Sequence, residues 1–320
     1  MRWKIPLPSP PPLAPLRAFR YTLRPKANTR DLKKRIKAIK SIRRITKTMQ
    51  MIATSKFARS QQRATQSKPY TEGIFDLVTE LAEKAGNISH PLIDGPRDGF
   101  KSSAKPLVLV MTSDRGLCGP YNGSILRAAM KHLRSLNDYT LEVVGRKGQS
   151  VLRFNKFAID AAHNQFGDKP TFEEVEKLAR QYMDRFAAGE ISSVHVVYMR
   201  FISTSRQRPE VLQLLPLKPP AVEHAEGESA AAGPTIEYDF TPEPAELLSS
   251  LLPETVKATL FQAFLDAVVS ENVARMVAMK AATDNAGEMG RLIGRKYNRA
   301  RQAQITTELT EIISGAAALE

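Results

Sequence analysis

The sequence predicts an α/β fold: a long antiparallel coiled coil formed by the N- and C-terminal helices plus an inserted Rossmann-like α/β domain. Three observations carry that expectation. Residues 254–320 contain no proline, and from Leu265 apolar or small side chains recur in steps of four and three: Val269, Asn272, Met276, Met279, Thr283, Ala286, Gly290, Ile293, Tyr297 and Ala300. That is the seam of a helix laid along another helix. A second helical pattern begins near Thr29, and strand-like runs alternate with helical ones between residues 105 and 217.

The C-terminal stretch sets the scale. A helix over residues 254–313 would be ~90 Å long, whereas a compact domain of this chain's length has a radius of gyration of ~20 Å. Such a helix must reach beyond a globular body and needs a partner along its length. Its seam includes Gly287, Gly290 and Gly294, each costing roughly 1 kcal/mol relative to alanine in a helix. Small residues let a second backbone approach closely. The same surface could also slide or pivot against a partner.

Residues 1–28 form a proline-rich extension, with prolines at 6, 8, 10, 11, 12, 15 and 25 and no acid in residues 1–27. The prolines break the apolar helix of a secretory signal. Basic and acid-free, the stretch faintly resembles an organelle transit peptide, but its proline density favours a disordered tail. The N-terminal coiled-coil helix is expected over 29–84, with Thr29 as N-cap and Asp31 in the first turn. Its apolar residues are Leu32, Ile36, Ile39, Ile42, Ile45, Met49 and Ile52, whose repeated steps of three predict a locally overwound seam. Pro69 should interrupt or bend the helix, after which Ile74, Leu77, Val78 and Leu81 continue it.

An α/β domain follows over 105–217. Residues 106–111, 141–144 and 194–201 read as strands, with 211–214 a possible fourth; helices are expected near 122–136, at Gln149 and over 172–187. Residues 218–234 form a flexible loop with three prolines and three glutamates, and residues 236–240 offer an edge strand. The C-terminal coiled-coil region then runs over 247–320.

The chain carries a net charge of +14, with pI near 9.8, which points to an anionic partner: nucleic acid, an acidic membrane surface or an acidic protein. Between Arg30 and Arg63 there are twelve basic residues and one acid, Asp31. Like charges at this density destabilise an isolated helix and call for an acidic surface nearby. One cysteine, Cys118, excludes an internal disulfide and fits a reducing compartment. No window reaches the ~18 apolar residues of a membrane span, so membrane contact is expected only through partners.

The loop 113–119 (Ser-Asp-Arg-Gly-Leu-Cys-Gly) follows a strand, the position where an α/β fold places catalytic or phosphate-binding groups. Glycines 116, 119 and 123 do not spell GxGxxG, and no GxxxxGK[ST] occurs. Cys118 could serve as a nucleophile only with a base such as His132 or His163 beside it, and nothing in the spacing brings them together. The five histidines lack metal-ligand spacing. The expectation is a structural turn at Asp114, Arg115, Gly116, Cys118 and Gly119, with no catalytic site, cofactor or metal.

Four blocks of sequence point to a family. Residues 305–318 (ITTELTEIISGAAA) match the signature of the gamma subunit of F-type ATP synthases. Residues 275–285 (RMVAMKAATDN) and 297–303 (YNRARQA) resemble its other C-terminal motifs. Residues 45–53 (ITKTMQMIA) with Ser55 and Lys56 resemble its N-terminal block, and 113–119 its Asp-Arg-Gly-Leu-Cys-Gly loop. The resemblance runs in order from about Thr29 to Leu319.

It implies a rotor, present once per complex. The paired end helices would turn inside a ring of three alpha and three beta subunits, and the α/β domain would stand at the foot with the epsilon subunit and the membrane c-ring. Ion-driven rotation would force the beta subunits through their nucleotide-binding states, and hydrolysis would drive it in reverse. By position, Met49 with Arg44 and Lys47 matches the surface facing an acidic lever loop of beta. Arg301 and Gln302 match a pair that hydrogen-bonds a beta catch loop. Residues 305–319, with Ile305, Ile312, Ile313 and Leu319, match a tip turning in an apolar bearing. The location implied is peripheral, on the cytoplasmic face of a bacterial inner membrane or, alternatively, the inner face of an organelle energy-transducing membrane.

The chain departs from the chloroplast form in lacking its regulatory cysteine pair, and neither the extension nor the 218–234 loop matches anything in the family. A nucleic-acid-binding coiled coil would explain the basic helix but not the C-terminal seam. An α/β enzyme with a helical arm would need a ligand near Gly116.

Overall fold

A computed structural model describes residues 29–85, 90–96, 99–217 and 244–319. The proline-rich extension, the 218–234 loop and the possible strand at 236–240 lie outside the described residues. The described chain divides into two compact units: residues 29–40 with 288–319, and residues 41–287.

Two helices dominate: α1 (Thr29–Ala85) at the start and α6 (Pro244–Ala317) at the end. Pro69 does not interrupt α1, and α6 starts before the expected boundary and runs through Pro253. A proline removes one helical hydrogen bond and crowds the preceding turn. Around Pro69 the helix is held by Ala64, Thr71, Ile74 and Val78, all buried.

The antiparallel pairing is visible residue by residue within each unit. In the first, Thr29 Oγ1 donates to Gln304 Oε1 at 2.8 Å, and Gly290 lies under Ile39. In the second, Gly287 lies under Arg43, Thr283 Oγ1 bonds Thr46 Oγ1 at 2.9 Å, Asn272 Nδ2 reaches Ser60 Oγ at 3.5 Å, and Ala64 packs on Leu265 and Val269. As numbers rise on one helix they fall equally on the other. Every seam residue expected on α6 is buried or half-buried.

The seam of α1 differs from its apolar pattern. The seam is formed by Leu32, Ile36, Ile39, Thr46, Gln50, Ala53, Phe57, Ser60, Ala64, Ser67, Thr71, Ile74, Val78 and Leu81, all of them buried or half-buried. With Arg43 included, these keep a regular alternation of four and three, so the helix is not overwound there. Ile42, Ile45, Met49 and Ile52 lie off the seam and are exposed. Small and polar residues occupy the interface because the facing residues are themselves small or hydroxyl-bearing, and Thr and Asn pairs fix register where leucines would not.

In the second unit, after α1, come α2 (Pro91–Asp94), β1 (Lys105–Met111), α3 (Tyr121–Ser135), β2 (Thr140–Val144), α4 (Arg146–Phe154), β3 (Ala161–His163), α5 (Phe172–Ala187), β4 (Ile191–Phe201) and β5 (Gln207–Leu215). The strand order is β3-β2-β1-β4-β5; the first four are parallel and β5 is antiparallel to β4. Alternation splits β1 between two faces. Leu107, Leu109 and Met111 join a core with α5, α6 and the end of α1, while Val108 and Val110 join one with α3 and α4. Burial on both faces gives the continuous apolar run typical of a parallel strand. A capping box at Thr171 and Glu174 starts α5.

Candidate functional site

The carboxyl edge of the sheet is where an open α/β fold ordinarily receives a ligand. Here the protein's own groups fill it. Thr112 closes β1, and its hydroxyl donates to Val144 O at 2.8 Å and accepts from Gly148 N at 2.9 Å. A Cβ on Gly145 would lie 2.1 Å from Thr112 O, and one on Gly148 2.5 Å from Thr112 Oγ1. Both glycines of the segment 145–148 are therefore demanded by Thr112. The first amides of α4, which could otherwise hold an anion, are engaged: Arg146 N donates to Asp114 Oδ1 at 3.1 Å and Lys147 N to Ser113 O at 3.1 Å.

The rest of loop 113–119 is tied down as a turn. Asn122 Oδ1 accepts from Ser113 N at 3.0 Å, while Asn122 Nδ2 donates to Ser113 Oγ at 2.7 Å and to Cys118 Sγ at 3.2 Å. Cys118 is buried, Leu117 adopts φ 65°, and Gly119 has φ 55°. A Cβ on Gly119 would come 3.5 Å from Ala278 Cβ, and Arg275 Nη2 donates to Arg115 O at 3.4 Å. Tyr121 OH donates to Ala267 O at 3.1 Å. The loop and the 275–285 block, two separate motifs in the sequence, thus meet in space.

The structure does not bring Cys118 together with either histidine weighed as its base. His163 Nε2 lies 2.8 Å from Glu142 Oε2, and the His132 ring sits edge-on to His195 at 4.9 Å. Burial lowers the His132 pKa. Glu142 is a buried acid in the middle of β2, whose partners the pattern Leu-Glu-Val-Val does not disclose. It also accepts from Tyr182 OH at 2.7 Å and Arg185 Nη1 at 3.0 Å. Burial pushes the Glu142 carboxyl up, but the His163, Tyr182 and Arg185 interactions outweigh it and leave its pKa lowered. Among the described residues no group of three metal-ligating side chains forms, and no helix is long and apolar enough to cross a membrane.

The other predicted residues are on the surface. Met49 is 38% exposed beside exposed Arg44 and Lys47, and it shares a flank of α1 with Ile42, Ile45 and Ile52. Arg301 and Gln302 are exposed, as are Ile305, Ile312, Ile313 and Leu319, joined by Leu309. Isolated exposed apolar residues are ordinary, but runs of them along one helix mark interaction surfaces.

Fold and surface together define an interaction protein: end helices paired in a coiled coil, an α/β domain inserted between them, and apolar and cationic stripes open to partners. A family model described as ATP synthase matches residues 28–319. The ATP synthase gamma chain of Rhodopirellula baltica is 41% identical over 298 residues, covering 92% of this chain and 99% of that one. The ATP synthase gamma chain of Desulforudis audaxviator is 39% identical over 296 residues, covering 91% and 99%. The chain belongs to the ATP synthase gamma-chain family.

Solved structures agree on the fold. A chain from the Euglena gracilis mitochondrial ATP synthase rotor in rotational state 1 matches with TM-score 0.56 and 18% identity, covering 87% of this chain and 98% of that one. One from the OSCP/F1/c-ring assembly in rotational state 3 matches with TM-score 0.58 and 18% identity, covering 91% and 94%.

Proposed function

We propose that this chain is the central rotor shaft of an F-type ATP synthase, coupling ion-driven rotation of the c-ring to ATP synthesis and hydrolysis at the beta subunits. The observation that carries this reading is the match to gamma chains over 99% of their length, joined to an antiparallel helix pair whose outer surfaces are apolar and basic. The chain supplies no catalytic group. It acts by contacting one beta subunit differently from the next, the differential interaction that any imposed conformational change requires.

Residues 105–217 form the foot, against the epsilon subunit and c-ring. Arg44, Lys47 and Met49 face an acidic lever loop of beta, and Arg301 and Gln302 bond its catch loop. Ile305, Ile312, Ile313 and Leu319 turn in an apolar bearing within the ring of three alpha and three beta subunits. The exposure of these side chains supports the reading, since burial against a partner would remove their contact with water. The complex sits peripherally on the cytoplasmic face of a bacterial inner membrane.

The test uses Met49→Lys and Met49→Glu in the assembled complex. A lysine placed 4 Å from a lever carboxylate would add up to about 4 kcal/mol of attraction at an effective dielectric of ~20, before desolvation and side-chain entropy reduce it. Attraction felt in one rotary position and not the next deepens one well, so Met49→Lys should still hydrolyse ATP but pump fewer ions per ATP. Met49→Glu should weaken the same contact. Unchanged pumping ratios in both variants would remove Met49 from the lever.

A further inference from the structure

The sheet's usual anion site is closed by Thr112 and Asp114, yet the same unit holds a basic crevice of about 560 Å³, within the range of small-molecule sites. Its walls come from three places in the second unit: α1, the loop following β3, and α6. We propose that this crevice binds a compact polyphosphate, either inorganic pyrophosphate or the phosphate tail of a nucleotide.

Charge is the first argument. Lys56, Arg59 and Arg63 recur on α1 in steps of three and four, which sets them on one flank of the helix. Lys169 joins them from the loop. Among the described residues the one acid lining the crevice, Asp168, is ion-paired to Lys56. That bond, with Arg115 and Arg275 nearby, keeps its carboxyl pKa lowered. Among the described residues no ion pair engages Arg59, Arg63 or Lys169. Four cations and one neutralised acid therefore converge on one volume, and their mutual repulsion is relieved by a multivalent anion.

Shape is the second. Phe166 is 3% exposed, lies against Phe264 with ring centroids 4.5 Å apart, and lines the crevice. An apolar wall of this kind focuses the field of the surrounding cations. Ser60, Asn272 and Gln165 add neutral polar groups. The loop crosses Gly167 at φ 49°, and the space where its Cβ would stand is open. Two arginine forks suit the tetrahedral oxygens of phosphate, which they can grip bidentately.

The experiment titrates the full chain with inorganic pyrophosphate by calorimetry at about 50 mM ionic strength, where surface electrostatics are incompletely screened. Saturable one-to-one binding is expected. The double variant Arg59→Gln/Arg63→Gln should weaken it by about tenfold or more, while Lys33→Gln/Lys34→Gln, with the same loss of charge elsewhere on α1, should leave it unchanged. In the second arm, adenosine diphosphate binding as well as pyrophosphate while adenosine does not bind would assign recognition to the phosphate tail. Absence of saturable binding, equal losses in both double variants, or displacement of pyrophosphate by equimolar hexaglutamate would each overturn the proposal.

Discussion

The glycines of α6 give a sharp test of how the two long helices pack. Consider Gly287, Gly290 and Gly294 replaced together by alanine. The added Cβ would lie 3.6 Å from Arg43 Nε at position 287 and 3.6 Å from Ile39 Cγ2 at position 290; at position 294 it would meet nothing within 4 Å. These are ordinary van der Waals separations, so no neighbour has to move. Each alanine regains about 1 kcal/mol of helix propensity, roughly 3 kcal/mol in all. Urea unfolding of the full chain, followed by helical circular dichroism, should show a higher midpoint with unaltered native signal. A lower midpoint would refute the reasoning, because it would mean that the helices approach more closely than these distances allow. The same variant in the assembled enzyme separates the two roles weighed for the glycines. Tighter stability with undiminished pumping per ATP marks them as passive, and tighter stability with impaired pumping marks a surface that must slide.

Three further outcomes follow from buried groups. Burial raises the Asp266 pKa to about 6, against about 3.9 in an unfolded chain, so the folded state holds the extra proton between those values. Its effect on stability is least unfavourable below pH ~4 and worsens by about 3 kcal/mol as pH rises through ~6. Asp266→Asn should flatten that slope in urea unfolding across pH and stabilise the chain near neutrality; parallel curves for variant and wild type would contradict the assignment. Gly145→Ala places a Cβ 2.1 Å from Thr112 O at a φ of 89° and should cost about 3 kcal/mol or more, measured as a lowered unfolding midpoint. A midpoint equal to wild type would show that β2 and the 112–119 loop are not locked together. Glu142→Ala leaves Tyr182, Arg185 and His163 without their shared acceptor and should cost about 3 kcal/mol near neutral pH. Because the native Glu142 pKa is lowered, the ionised carboxylate stabilises the fold above the ordinary glutamate pKa, so the difference from wild type should shrink as pH falls below the ordinary carboxylate range, and a pH-independent difference would argue against an ionised Glu142.

Much of this architecture was legible because it rests on local periodicity. The α6 seam from Leu265 to Ala300 repeats every three or four residues, and α5 matches its expected span because an amphipathic face and a capping box both mark it. The buried run of β1 announced a parallel strand. The loop 113–119 reads as a break between strand and helix because Gly116 and Gly119 interrupt both periodicities.

Other features depend on which surface another element covers. An apolar pattern placed Ile42, Ile45 and Met49 on the α1 seam, yet Thr46, Gln50, Ala53 and Ser60 occupy it. Burial there is decided by the neighbouring helix, whose Gly287, Thr283 and Asn272 leave room for arginine, hydroxyl and small side chains. β3 spans three residues, too few for any period, and exists because Glu142, Val143 and Val144 offer it a parallel edge. Gly145 and Gly148 read as loop residues until Thr112, more than thirty positions away, is seen to fill the space beside them. The sequence alone determined the helix pair, the α/β insert and the family, because propensity and periodicity act over a few residues. Only the tertiary structure decided the α1 seam, the partners of Glu142 and the closing of the sheet's edge, because each depends on contacts between residues far apart in the chain.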